Sequence, residues 1–518
     1  PVKGYLFCPD KQKKATIDGM HEHFVVRHDG RNRASCVVKP GVSLGDLGES
    51  MMTLIDASAG IRAIEEDQNS YVREGWEGTS FQGVINWLEE LMRMNSRGLP
   101  IPMMPVSTHC ASCSFRTPRE LDMEGLKSGR RACFEHALGW TQQEFDRPKI
   151  WDVWSLKSKK RIIDEGRWFM DEMQEDDFKG ELMHPEELSG RSELLEAQRQ
   201  WIQICAAKGT FNSAYLDKEG LQKEVLKFTW PLHFIDFETT APAIPFYKGY
   251  APYQGVSFQF SHHILHADGR LEHAGQFLGL GQGEDPTCAF VKSLYDNLSG
   301  DEGSVFMYSH HENTYLNYAH RLLRKSSPFD EDVTNELLRF LESLTWPTDD
   351  TQGTWPKSRR VMVDMAEMVV TYFWHPDMAG SNSIKAVLPA VLNASAELQA
   401  KYKAPLYASA AMPSLNYDTG FSWIQFDEVG KVRNPYSLLP ALKKDILGED
   451  LETINRVYGD DFIGNGGAAM TAWSYMQFAE MTEEEREDIQ HALKKYCELD
   501  TLAMAFIMEY FLIELKKA

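Results

Sequence analysis

Residues 230–249 read WPLHFIDFETTAPAIPFYKG. Leu232, Phe234, Ile235 and Phe237 form the short apolar run of a buried strand, and Asp236 and Glu238 interrupt it. Side chains two apart in a strand share a face. Packing two bare carboxylates side by side in a core costs several kcal/mol per uncompensated charge. Either that face is open to water, or something positive meets it.

The same conflict recurs twice. The last 35 residues read as one long helix with an apolar stripe at Ile489, Leu493, Tyr496, Ala503, Ile507 and Phe511, and Asp500 falls on that stripe. Tyr496, four residues earlier, shares its face. Farther up the chain, the strand predicted at Val305–Tyr308 runs through SHH into a helix opening at Glu312, with an inner face of Tyr315 or Leu316, Ala319 and Leu323.

An Asp-x-Glu strand, an acidic residue at a strand-to-helix junction and a late Tyr-x-x-x-Asp helix resemble the DnaQ-like (DEDD) 3′–5′ exonucleases of RNase H-like fold. In that superfamily, four carboxylates hold two Mg²⁺ or Mn²⁺ ions. The resemblance implies metal ligands at Asp236, Glu238, Glu312 and Asp500, with Tyr496 orienting the attacking water. The tyrosine spacing is that of the tyrosine subclass, since the histidine subclass requires His where this chain has Lys495. Glu312 departs from the Asp common at the second motif. More narrowly, PLHFIDFET, PYQGVSFQFSHH, GSNSIKAVLP and YCELDTLAM are similar to a bacterial family that joins such a domain to a RecB-like, cysteine-bearing region. The likeness covers roughly Leu226 to Phe511 well and the preceding part thinly.

The chemistry suits these residues. Hard divalent cations take oxygen ligands, and two ions about 4 Å apart can clamp the attacking and leaving oxygens of a phosphoryl displacement. A tyrosine of ordinary pKa, about 10, stays protonated at neutral pH and orients water rather than acting as a strong base. Lys385, just inside a Ser-capped helix start, is a candidate substrate-binding residue facing phosphate. Asp364 reads as a strand-end carboxylate. His262, His263, His310 and His311 read as structural, because adjacent residues of a regular strand face opposite ways.

A second constellation lies in HCASCSFRTPRELDMEGLKSGRRACFEHALGW, where Cys110-x₂-Cys113 and Cys133-x₂-His136 stand nineteen residues apart. Thiolates and an imidazole at this spacing suit structural Zn²⁺. The family resemblance offers an iron–sulfur [4Fe-4S] cluster instead, with Cys8 or Cys36 as fourth ligand, and reduced structural thiols are the third reading. A RecB-like site also needs Asp and then Glu-x-Lys. Asp18 and Lys39 fit, but Val37 stands where the glutamate belongs, so the front region reads as a degenerate scaffold.

The chain has 518 residues, 43% of them hydrophobic, ample for two to four packed domains. Eight cysteines beside 22 methionines suit a reducing, cytoplasmic setting, with no secretory leader or membrane anchor expected. The net charge of −22 argues against sequence-independent coating of nucleic acid, and a local grip on a strand end remains compatible with it. The basic strip Lys157–Arg161 reads as a solvated helix face.

The expected architecture is α/β: a cysteine-bearing region over residues 1–145, a helical connector over 146–225, and an RNase H-like domain with a mixed central sheet and flanking helices over 226–518. The expected partner is the single-stranded or frayed 3′ end of a nucleic acid. The alternative is a catalytically weak or inactive nucleic-acid-binding or assembly subunit that keeps the exonuclease fold, with a protein partner as a further candidate.

Overall fold

The computed structural model describes residues 3–28, 34–66, 81–98, 106–117, 125–180, 182, 194–348, 355–439, 466–478 and 481–517. Two compact units account for the fold: Pro1–Cys8, Leu54–Tyr215 and Ala379–Ser381 form the first, and Pro9–Thr53, Leu216–Met378 and Asn382–Ala518 form the second. This division differs from the expected boundaries after residues 145 and 225, for two physical reasons. The front segment is tied into the second unit by its backbone: Ala15 N–H donates to the Tyr250 carbonyl, Gly249 N–H to that of Ala15, and Gly19 N–H to that of Phe246. The cysteine segment and the expected connector share one core, so no boundary falls between them.

The core of the first unit is aromatic. Phe134 and Trp140 pack with Trp151, Phe169, Phe178 and Trp201, and Trp151 stacks on Trp168 at 5.9 Å between ring centroids, 4° from parallel. Short helices supply these residues, among them α1 (Gly129–Leu138) and α2 (Glu196–Ala207). Leu194, buried, precedes α2, Leu195 stands at its N-cap position with an exposed side chain, and the buried face of the helix itself begins at Ala197. Gln203, also buried in α2, donates to the Asp152 carbonyl and accepts from Trp154 N–H, tying α2 to the preceding turn.

The second unit is built on a mixed five-stranded sheet of β1 (Leu232–Thr240), β2 (Val256–Leu265), β3 (Leu271–Leu278), β4 (Val305–Met307) and β5 (Val363–Asp364), in the order β5-β4-β1-β2-β3. β1, β2 and β3 form an antiparallel meander, whereas β4 runs parallel to β1 and to β5. Parallel pairs need crossovers. Helix α3 (Thr287–Leu298) lies between β3 and β4, and α4 (His311–Ser326) with α5 (Glu331–Leu344) lies between β4 and β5. Ile235 and Phe237 of β1 enter the core these helices build with Leu294, Leu316 and Leu341.

The even-numbered side chains of β1 take the opposite face, where α9 (Glu483–Lys516) crosses β1 and β2. Between the two lie α6 (Met365–Tyr372), α7 (Ile384–Ala394) and α8 (Gly466–Phe478) in chain order. The expected one-sided stripe of α9 is too narrow: every residue from Tyr496 to Phe511 is buried. A stretch buried on every side belongs inside a core rather than on its surface, and its Glu498, Asp500 and Glu509 are buried with it. No helix among the described residues is long and apolar enough to cross a membrane.

Leu294 is fully buried in the sheet-backed core, whereas Leu226 is 78% exposed. Leu294→Ala is expected to cost roughly 2–5 kcal/mol through the cavity it leaves. Leu226→Ala should change stability by less than about 0.5 kcal/mol. Urea midpoints of the two variants check both values.

Candidate metal centre

Strand alternation sends Asp236 and Glu238 to the α9 face of β1, and the β2 residues opposite them are Ser261 and Gln259. The register of α9 on that face is fixed by hydrogen bonds. Gln259 Nε2 donates to the Leu493 carbonyl at 2.8 Å, and the Ser261 and Thr501 hydroxyls meet at 2.7 Å. This register carries Asp500 to the strand carboxylates. Oxygens of Asp236, Glu238 and Asp500 lie within 4.8 Å of one another, the one such group of three or more His, Cys, Asp or Glu side chains among the described residues.

Glu312 comes from the other direction. The strand before it stops at Met307, one residue short of expectation, and Ser309 turns the chain with a φ of 82°. Asp364 holds that turn, accepting from Ser309 N–H at 2.9 Å while capping α6 through Ala366 N–H. Asp364 is therefore the strand-end carboxylate expected. Glu312 lies in the first turn of α4, buried, with Oε2 lacking a hydrogen-bond partner. It stands outside the three-residue group but within its electrostatic reach.

Lys385 joins from α7. Its ammonium lies 5.2 Å from the ring centroids of both Tyr436 and Tyr496 and acts electrostatically on Asp236, Glu238 and Asp500. Pro389, four residues on, has no N–H to offer the Lys385 carbonyl. Asn434 Nδ2 donates to that carbonyl at 3.4 Å instead, and its Oδ1 accepts from Tyr436 N–H. Tyr436 in turn donates its hydroxyl to Asp500. Tyr436 escaped sequence reading: NPYSLL lies in no periodic element, and only the fold brings it to α9.

The charges are unbalanced. Burial first, then Asp500, Glu312 and Glu238, hold Asp236 well above the ordinary carboxylate range, against the pull of Lys385. Burial and then Asp500 do the same to Glu238. Burial pushes Glu312 up to about 8, opposed by backbone hydrogen bonds and reinforced by Asp364. Asp500 rises to about 6 by burial, against hydrogen bonds from Tyr436 and Tyr496 and the Lys385 charge. The phenols of Tyr436 and Tyr496 are raised in turn, by burial and then Asp500, and remain protonated.

Glu498, two residues from Asp500, supplies the contrast. It is fully buried, yet His273 Nδ1 lies 3.2 Å away, Asn416 Nδ2 donates at 2.8 Å, and Tyr407 and Ser414 donate their hydroxyls. Burial raises its pKa, but His273 and the hydroxyls outweigh this and leave it lowered. A buried carboxylate with matched donors is structural; the Asp236 cluster lacks such matching.

The other expected ligands are placed differently. Cys110, Cys113 and Cys133 lie close enough that burial, then Cys113 and Cys110, raise the Cys133 thiol. With His136 they do not come together as a ligand group, and His136 is exposed. Cys8 belongs to the first unit and Cys36 to the second, and neither joins a ligand group. Asp18 is exposed, its side-chain Oδ1 accepting from Lys248 N–H at 2.8 Å, and Lys39 is exposed. His262 and His263 are buried and structural, His262 against His233 and His263 against Thr501 and Tyr407. His310 and His311 open α4 rather than end a strand, and His311 pairs with Thr239. The Lys157–Arg161 strip is spent on acidic and backbone partners, including Glu196, Asp164 and Asp177.

The fold and site thus define a mixed α/β unit with a buried cluster of hard oxygen donors. A family model described as a domain of unknown function (DUF2779) matches residues 233–383, which include Asp236, Glu238 and Glu312 but not Asp500. Neither a curated protein nor a solved structure matches the chain.

A pH prediction follows from the site. Protons held by native Glu312 near pH 8 are released by the unfolded chain near 4.5, so stability falls as pH rises between those values. The buried histidines work the opposite way, but their pKa values are lowered from 6.5, so above pH 6.5 they are largely neutral in both states. In EDTA, the melting temperature is expected to drop from pH 6.5 to 8.5, and Glu312→Gln should flatten that drop. Calorimetry at the two pH values checks it.

Proposed function

We propose that the chain is a metal-dependent 3′–5′ exonuclease of the DnaQ-like, RNase H-like class, acting from its second unit. The observation that carries this reading is the oxygen cluster of Asp236, Glu238 and Asp500, with Glu312 at its edge and charge left uncompensated. The mixed sheet with helices on both faces supports it. All-carboxylate donors suit Mg²⁺ or Mn²⁺, not the softer metals that thiolates select. The same crowding answers the question posed by the strand: Glu238, Glu312 and Asp500 are buried and Asp236 is half-buried, and one ammonium is too little to neutralise them.

When bound, the ions would polarise the scissile phosphodiester and stabilise the charge developing on it. Asp236, Glu238, Glu312 and Asp500 would hold them. Tyr496, protonated and beside Asp500, orients the attacking water by hydrogen bonding. Lys385, beside two tyrosine rings, offers an ammonium to the substrate phosphate.

With Mn²⁺ and single-stranded DNA or RNA carrying a 5′ label, stepwise shortening from the 3′ end is expected. Asp236→Ala should lower kcat/KM on the order of 10²-fold or more, about 2.7 kcal/mol of transition-state stabilisation. Folded, Mn²⁺-binding protein inert on both nucleic acids would instead favour the assembly-subunit reading. Lys385→Ala is expected to raise KM roughly tenfold with a smaller effect on kcat, the signature of a phosphate-binding residue. Equal losses in kcat and kcat/KM would assign Lys385 to the transition state instead.

A further inference from the structure

The first unit has a cavity of about 460 Å³ whose lining carries four cations, Arg116, Arg130, Arg131 and Lys149, against two carboxylates, Asp146 and Asp152. In a chain of net charge −22, a cationic concavity is a local departure that needs a cause. The four cations are not equivalent. Arg131 is answered by Glu135 at 2.8 Å, and its guanidinium lies 4.6 Å from the Phe145 ring centroid. Lys149 is half-buried and donates to the carbonyls of Phe145 and Arg147. Arg130 lies 5.1 Å from the Phe134 ring centroid, and its Nε is buried without a hydrogen-bond partner.

Like charges are crowded here as they are in the second unit, with the sign reversed. Burial, then Arg116, hold Arg130 below the ordinary arginine range, against Asp152 and the thiols of Cys110 and Cys113. Burial lowers Lys149, and Arg130 and Arg116 add to this against Asp152 and Asp146. Asp146 is already engaged by Gln142 Nε2 at 3.0 Å. An oxyanion with several acceptor oxygens relieves such crowding, and a guanidinium fork matches phosphate geometry.

We propose that this cavity is a phosphate-binding site, with Arg116 and Arg130 as its principal contacts and Lys149 as a supporting charge. Phosphate can come from the backbone of a nucleic-acid strand or from a free phosphate group. The Phe145 side of the lining offers a strand an apolar surface beside the charges. The site belongs to the first unit and does not depend on the proposed nuclease chemistry.

The test uses the full chain in EDTA, where the carboxylate cluster has no divalent cation through which to hold phosphate. Binding of a short fluorescein-labelled oligothymidylate is followed by anisotropy across a salt series, with inorganic phosphate as competitor. Arg116→Ala/Arg130→Ala is expected to weaken strand binding about tenfold or more and to flatten the salt dependence by about 0.7 per contact removed. Arg116→Glu, a change at an exposed side chain, should weaken binding without threatening the fold. Competition by millimolar phosphate in the wild type would show that a single phosphate suffices. Loss in the variants without such competition would assign the site to the strand backbone. Unchanged strand binding and unchanged salt slope in both folded variants would overturn the proposal.

Discussion

Like-charge repulsion between buried carboxylates is the constraint around which the second unit is arranged. Asp236 and Glu238 share a strand face by alternation, Asp500 is brought to them by the register of α9, and Glu312 closes in from the first turn of α4. Each is raised above its ordinary pKa chiefly by burial, and Asp236 and Glu238 are raised further by the carboxylates around them. Two tyrosines and one lysine oppose that cost without cancelling it. A core under selection for stability alone would exchange these groups for apolar ones of similar volume. The proposed metal centre accounts for their presence.

Comparison within α9 sharpens the point. Glu498, Asp500 and Glu509 are all buried on one helix. Glu498 is met by His273, Asn416 and two hydroxyls, and Glu509 by Lys401 and Tyr402. Both are satisfied by protein donors, and Glu498 titrates below its ordinary value. Asp500 has phenolic donors too, and the Lys385 charge, yet burial keeps it raised, and its carboxylate in turn raises Asp236 and Glu238. Burial of charge is common to all three, and partner matching separates structural acids from the candidate centre.

The first unit shows the complementary imbalance. Its aromatic core packs Phe134 of α1 against Trp151 beside the turn at Lys149, and these elements gather cations around a concavity. A uniformly acidic chain would hold phosphates at a distance. Concentrating positive charge in one cavity confines any attraction to a defined locus, which a net charge of −22 leaves invisible.

By itself the sequence determined the α/β class, the strand carrying Asp236 and Glu238, the helix starting near Glu312 and the long last helix with Tyr496 and Asp500. Each is a conflict between a periodic apolar pattern and a charged residue inside it, and periodicity is a local property that a sequence displays directly. Tertiary structure alone decided that three of these carboxylates converge, that Tyr436 reaches Asp500, and that Glu498 is satisfied. It also decided that residues 9–53 belong with the second unit and that the cysteine segment shares a core with the helices after it. These outcomes depend on strand register, on which loop returns to which helix, and on side chains hundreds of residues apart competing for the same donors. No spacing along the chain records such distances.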